Sequence, residues 1–116
     1  MPTRLKWALT RVLADFEPLG YPPFCFGESA DGPVVLWQMP QASVRFLVST
    51  TQSAEEIAYY IADQLQVFVI DEQREAWPAV NGRPLLPSAD SGVACWTLDG
   101  RPWCAVGQLT AALEAR

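Results

Sequence analysis

Histidine is missing from this 116-residue chain. Its absence removes the side chain that most often serves as general base near neutral pH, as partner to a nucleophilic serine or cysteine, and as transition-metal ligand. Basic residues are sparse too: eight Lys and Arg against thirteen Asp and Glu leave a net charge of −5. Binding to phosphates needs clustered cations, so nucleic acid is not expected among the partners. Three cysteines without histidine are too few for a closed zinc site, and Asp90 or Asp99 would complete one only as an uncommon ligand set, so no metal and no cofactor is expected. No apolar run approaches the roughly 18 residues of a membrane span. The segment Met1–Trp7 carries two positive charges but no apolar stretch or small-residue cleavage site behind them, unlike a secretory signal. These absences lead to the expectation of a cytoplasmic protein with no membrane partner.

What is present is a sequence half apolar and 18% charged, too apolar for disorder and of a length that suits one domain, residues 1–116. Leu5, Ala8, Leu9, Val12, Leu13 and Phe16 recur at three-and-four spacing and predict an amphipathic helix over 3–17, with Arg4, Lys6, Arg11 and Asp15 mostly outside its apolar stripe. Pro18, Gly20 and Pro22-Pro23 end it. Phe24-Cys25-Phe26 predicts a brief strand before the turn-rich residues 27–33. The β-branched and aromatic runs 34–39 and 43–49 flank a hairpin-sized gap and should pair antiparallel, with Val44, Phe46 and Val48 on one face and Leu47 interrupting the alternation.

Ser53-Ala54-Glu55-Glu56 is a capping-box sequence, and the stripe Ile57, Ala58, Ile61, Leu65, Phe68, Val69 predicts a long helix running to about Ala76. Val67–Ile70 is a β-prone cluster inside it, so a strand over 66–71 is the competing reading. Then a short phrase occurs twice: Asn81-Gly82-Arg83-Pro84 and Asp99-Gly100-Arg101-Pro102. Asn-Gly and Asp-Gly suit the centre of tight hairpin turns because both tolerate positive φ. The first turn, crowded by Pro78, Pro84 and Pro87, should be loop or a short irregular hairpin. A two-residue turn at Asp99-Gly100 would pair Leu98 with Arg101, Thr97 with Pro102, Trp96 with Trp103 and Cys95 with Cys104. Residues 108–115 predict a closing helix. The fold class is therefore α+β: an N-terminal helix, an antiparallel sheet, a long central helix packed on it, a C-terminal hairpin and a short helix.

The candidate sites each carry a structural alternative. Cys95 and Cys104, if opposed, form a thiol pair about 4.5 Å apart at Cα, within reach of a disulfide, although a reducing compartment favours two packed thiols. Cys25 has no cation near it in sequence to activate it as a nucleophile. Glu55 and Glu56, or Asp71, Glu72 and Glu75, read as a helix cap and a solvated face before they read as an acid–base pair or a hard-cation site. Trp37, Trp77, Trp96 and Trp103, joined by Trp7 if it is exposed near the Trp96–Trp103 pair, form either an aromatic core or, if exposed near one another, a contact surface; aromatic residues are enriched at binding hot spots. No catalytic constellation is assembled by these residues.

The pattern Trp77-Pro78, Pro84-Leu85, Trp96, Asp99-Gly100 and Gly107-x-Leu109 resembles the C-terminal part of small uncharacterised bacterial proteins in which Cys and His surround the same turns as a zinc-ribbon appendage. The resemblance covers residues 77–109, and where such a ribbon wants ligands this chain has Ala79, Asn81, Arg83 and Thr97. It implies a degenerate, ligand-free ribbon over 77–107 and no particular activity. The element order is also similar to the secretion-chaperone-like fold, which implies protein binding. The functional expectation is a non-enzymatic protein-interaction module whose protein partner the sequence does not name, with a homodimer as one form. A small-ligand or enzymatic cleft using carboxylates or Cys25, and an acidic immunity-type inhibitor, are the alternatives.

Overall fold

Leu5, Ala8, Val12 and Phe16 are buried along the first helix, α1 (Thr3–Phe16), in the computed structural model, which describes residues 3–115. The helix stops one residue earlier than expected because the chain tightens into a 3₁₀ turn over Glu17–Leu19 with Pro18 in its first turn. Gly20, at φ 84°, closes that turn by donating its amide to the Glu17 carbonyl at 3.1 Å.

Three strands follow, β1 (Cys25–Ser29), β2 (Gly32–Gln38) and β3 (Ser43–Leu47), forming an antiparallel sheet in the order β1-β2-β3. The 34–39 and 43–49 runs pair as expected, with Val35 opposite Phe46 and Trp37 opposite Val44. The first strand runs further than the Phe24–Phe26 expectation, through residues 27–29. Gly27 belongs to the strand because Leu36 of β2 lies over it: a Cβ there would come within 2.7 Å of Leu36 Cδ1. Val35, Trp37 and Val44 point into the core, while Leu36, Arg45 and Leu47 lie on the other face.

The second helix, α2 (Ala54–Gln73), opens on the capping box, with the Ser53 hydroxyl accepting from the Glu56 amide and Glu56 Oε1 accepting from the Ser53 amide. Residues 66–71 are helical: Leu65, Gln66 and Val69 continue the inward stripe of Ile61 and Ala62, and tertiary burial overrides the local β preference. The helix ends at Gln73 rather than near Ala76. Arg74 adopts φ 60° and donates its amide to Ile70 O at 2.8 Å, and the chain turns away so that Trp77 can pack its ring on Phe16 at 4.7 Å. α2 packs against α1 and meets β3 through an edge-on contact of Tyr60 with Phe46 at 5.8 Å.

Both repeated turns are present. The first joins β4 (Ala79–Val80) to β5 (Arg83–Pro84), and the second joins β7 (Cys95–Leu98) to β8 (Arg101–Ala105). Asn81 and Gly82 have φ of 51° and 78°, and Asp99 and Gly100 have 53° and 79°, the paired positive values of a type I′ turn. An Arg83–Asp99 ion pair ties the two turns together. Sequence reading missed β6 (Leu86–Ser88), an edge strand that adds to β7 in the order β6-β7-β8 and places its proline, Pro87, where an edge tolerates it. The helix α3 (Leu109–Glu114) closes the described chain.

The register of the second hairpin corrects the expectation. Leu98–Arg101 and Thr97–Pro102 pair as predicted, but a bulge at Trp103 shifts the rest, so Cys104 faces Trp96 and Ala105 faces Cys95. The extra residue brings Val106 inward: it is 1% exposed and donates its amide to Ala94 O at 2.9 Å. Without the bulge the less bulky Ala105 would take that place. Phe16 is the meeting point of the halves, contacting Phe24 and Trp37 at 5.8 Å each and Trp96 at 6.4 Å.

Candidate functional site

The short strands of the tail leave many backbone groups without ladder partners, and buried amides and carbonyls must be paired. Side chains from the two long helices supply them. Asp15, which is buried, accepts from the Trp96 indole at 2.8 Å and the Gly107 amide at 2.7 Å through Oδ2, and from the Leu109 amide at 3.0 Å through Oδ1. Burial pushes its carboxyl above the ordinary value, and the three donors and the nearby Arg11 charge only partly offset that. Arg11 donates to Val106 O at 3.0 Å and Ala94 O at 3.3 Å and forms an ion pair with Glu55 at 2.7 Å. Glu55 Oε1 accepts from the Ala94 amide at 2.9 Å. Burial alone would raise Glu55, but the Arg11 hydrogen bond and charge and the Ala94 amide outweigh it, leaving the carboxyl below its usual value. Gln66 donates to Leu85 O at 2.7 Å and Trp77 O at 3.1 Å.

These anchors were not anticipated, and Asp15 was read as lying off the apolar stripe. The signal existed: position 15 is three residues past Val12 and seven past Ala8, squarely on the buried face. Among the described residues every buried side-chain nitrogen or oxygen has a hydrogen-bond partner.

The expected thiol pair is not formed by direct opposition, because the bulge sets Cys104 across from Trp96. All three cysteines are free thiols. Burial, with the charges of Asp15 and Cys95 nearby, pushes the Cys104 thiol up to about 12, so it stays protonated and unreactive near neutral pH. Cys25 is exposed on β1.

The four tryptophans proposed as one surface separate. Trp96 and Trp37 are core residues, 0% and 3% exposed, and Trp37 donates its indole N–H to Pro22 O at 2.6 Å. Trp77 and Trp103 are half-buried, and Trp77 packs on Trp96 at 6.0 Å. The reason is volume: a domain this small fills its core with large rings that converge on Phe16. Trp7, not among those four, is the exposed one at 53%, with the Arg11 guanidinium 5.0 Å above its ring.

Where a ribbon would hold ligands, Arg83 pairs with Asp99 and Thr97 donates its hydroxyl to Leu86 O at 2.9 Å. Among the described residues no three Cys, Asp or Glu side chains converge on a metal position.

Two surface features stand out. A groove of about 670 Å³ lies between the start of α2 and the β6–β7 strands, lined by Ser53, Glu55, Glu56, Tyr59, Tyr60, Leu86 and Asp90 among others. Cys25 does not line it, whereas the carboxylates of Glu55, Glu56 and Asp90 do. The second feature is the outer face of the first sheet, where Leu47 is 47% and Leu36 37% exposed beside Cys25, with Arg45 on the same face and Asp31 at its end. No described helix is long and apolar enough to cross a membrane. Compared with models of protein families, with curated proteins and with solved structures, the chain matches none.

Proposed function

We propose that this protein is a non-enzymatic interaction module that pairs with a second copy of itself through the outer face of its first sheet. The observation that carries the reading is the uncovered Leu36–Leu47 patch on that face. A sheet face normally gains its stability by being packed against another layer or wetted by polar side chains, and on this one Leu36 and Leu47 stay exposed, with only Val34 on the same face buried. Its two charges, Arg45 and Asp31, have opposite signs and make no ion pair with each other. In a twofold contact one copy's Arg45 would face the other's Asp31, as an isologous interface allows.

Sedimentation tests this. The parent chain is expected to run as a dimer, and Leu36→Lys/Leu47→Lys as a folded monomer. Arg45→Glu should weaken the dimer and Arg45→Glu/Asp31→Arg should restore it. A parent that remains monomeric at the highest attainable concentration overturns the reading.

A further inference from the structure

The groove between α2 and the β6–β7 strands has no role in the contact just described. Its charged lining is uniform: Glu55, Glu56 and Asp90, with no Lys or Arg. Glu55 is committed to Arg11 and Ala94. The other two have capacity left. Glu56 uses Oε1 for the capping box, and its Oε2 accepts no hydrogen bond among the described residues. The Asp90 carboxylate likewise makes no hydrogen bond or ion pair among them, only its backbone amide donating to Ser88 Oγ at 3.1 Å. Tyr59, Tyr60 and the 57%-exposed Leu86 line the same groove. Phenol rings and an aliphatic side chain sharing a groove with acidic groups match the two halves of an arginine or lysine: an apolar stem or flat cation for the rings, and donors for the carboxylates. The volume falls within the roughly 300–1,000 Å³ of ordinary binding clefts, and the open shape admits a chain segment.

We infer that this groove docks an extended basic segment of a partner protein, placing arginine or lysine side chains over Tyr59 and Leu86 and between Glu56 and Asp90. The inference deepens the interaction-module reading, since it names the chemistry of a second partner. It does not depend on self-association, because the groove and the outer sheet face share no lining residue among those named.

The test is a titration of the full chain with a dye-labelled hexa-arginine peptide, read by anisotropy at low and high salt. The parent should bind, and added salt should weaken the complex. Glu56→Gln/Asp90→Asn should bind about tenfold more weakly, two rim charges being worth about that much. Gln serves in a capping box as Glu does, so α2 keeps its start, and circular dichroism checks that the fold is retained. Asp71→Asn/Glu75→Gln changes the net charge equally at the far end of α2 and should stay within about twofold of the parent.

Three results overturn the proposal: no binding at low salt, equal weakening by the two double variants, or spermine competing as tightly as the peptide. The first two reduce the groove to part of a diffuse acidic surface, and the third makes it a small-polyamine site. Sedimentation of the same samples reports on dimerisation separately, so either reading can fail while the other stands.

Discussion

The first sheet and the tail are both antiparallel, and both bury a tryptophan against Phe16, yet they are held in opposite ways. The sheet of β1–β3 has long ladders, so its backbone satisfies itself and Val35, Trp37 and Val44 need contribute only apolar area. The tail is cut into strands of two to five residues by four prolines and two turns, and its free amides and carbonyls are paired by Asp15, Arg11, Glu55 and Gln66 reaching across from the helices. Where the ladder is short, polar side chains from other elements do the work of a neighbouring strand. The tail's position is thus set by a few directed bonds, and the sheet's by many undirected contacts.

The sharpest way to break this contrast is Asp15→Ala. It leaves the Gly107 and Leu109 amides and the Trp96 indole without their acceptor, and should lower stability by about 2–4 kcal/mol in urea unfolding, part of the loss being returned because a buried charge is also removed. Amide exchange should accelerate in the tail before the first sheet. The pH dependence adds a sign. Because folding raises the Asp15 carboxyl above 3.8, this group favours the folded state most below that value and progressively less as pH rises through its folded one. The stability of the parent minus that of Asp15→Asn should therefore fall across that window. Glu55 works the other way, its contribution being full above 4.5 and lost as pH falls through its depressed value.

A smaller effect compares the two tryptophans. Trp96→Phe deprives a buried carboxylate of a donor and should cost about 2 kcal/mol, whereas Trp37→Phe frees only the Pro22 carbonyl and should cost about 1 kcal/mol beyond lost packing. Equal costs would mean that the polar anchoring of the tail matters less than its burial. The mildest test perturbs nothing: in the native protein a maleimide should label Cys25 rapidly and leave Cys95 and Cys104 until unfolding, since one is buried and the other's thiol is pushed up to about 12. Rapid labelling of Cys104 would show that the bulged hairpin opens readily.

Much of the scaffold was legible in advance because it depends on local rules. The periodicity of α1, the Ser53 capping box and the Asn-Gly and Asp-Gly turns each act within a few residues, and each is where the sequence placed it. The Cys95–Cys104 opposition failed because a bulge has no local signature here; it is chosen by whether Val106 or Ala105 fills the core. The grouping of the tryptophans failed for a similar reason, since a ring's exposure depends on which distant elements converge on Phe16. Asp15 and Gln66 were overlooked because a polar residue on an apolar stripe reads as surface until the backbone groups it serves are known. Glu55 and Glu56 were legible as candidate carboxylates, but their meeting with Asp90, from the loop after β6, was not, because no local pattern brings that loop to the start of α2.

By itself the sequence determined the absence of imidazole chemistry, the acidic balance, the helix boundaries to within a few residues and the geometry of two tight turns, because composition and short-range dihedral preference decide these. Only the tertiary structure decided which polar side chains are interior, how the second hairpin is registered and which apolar residues are left facing outward. Those outcomes hinge on contacts between segments some 40 to 95 residues apart, such as Arg11 with Glu55 and with Val106, whose energies no local stretch of chain contains.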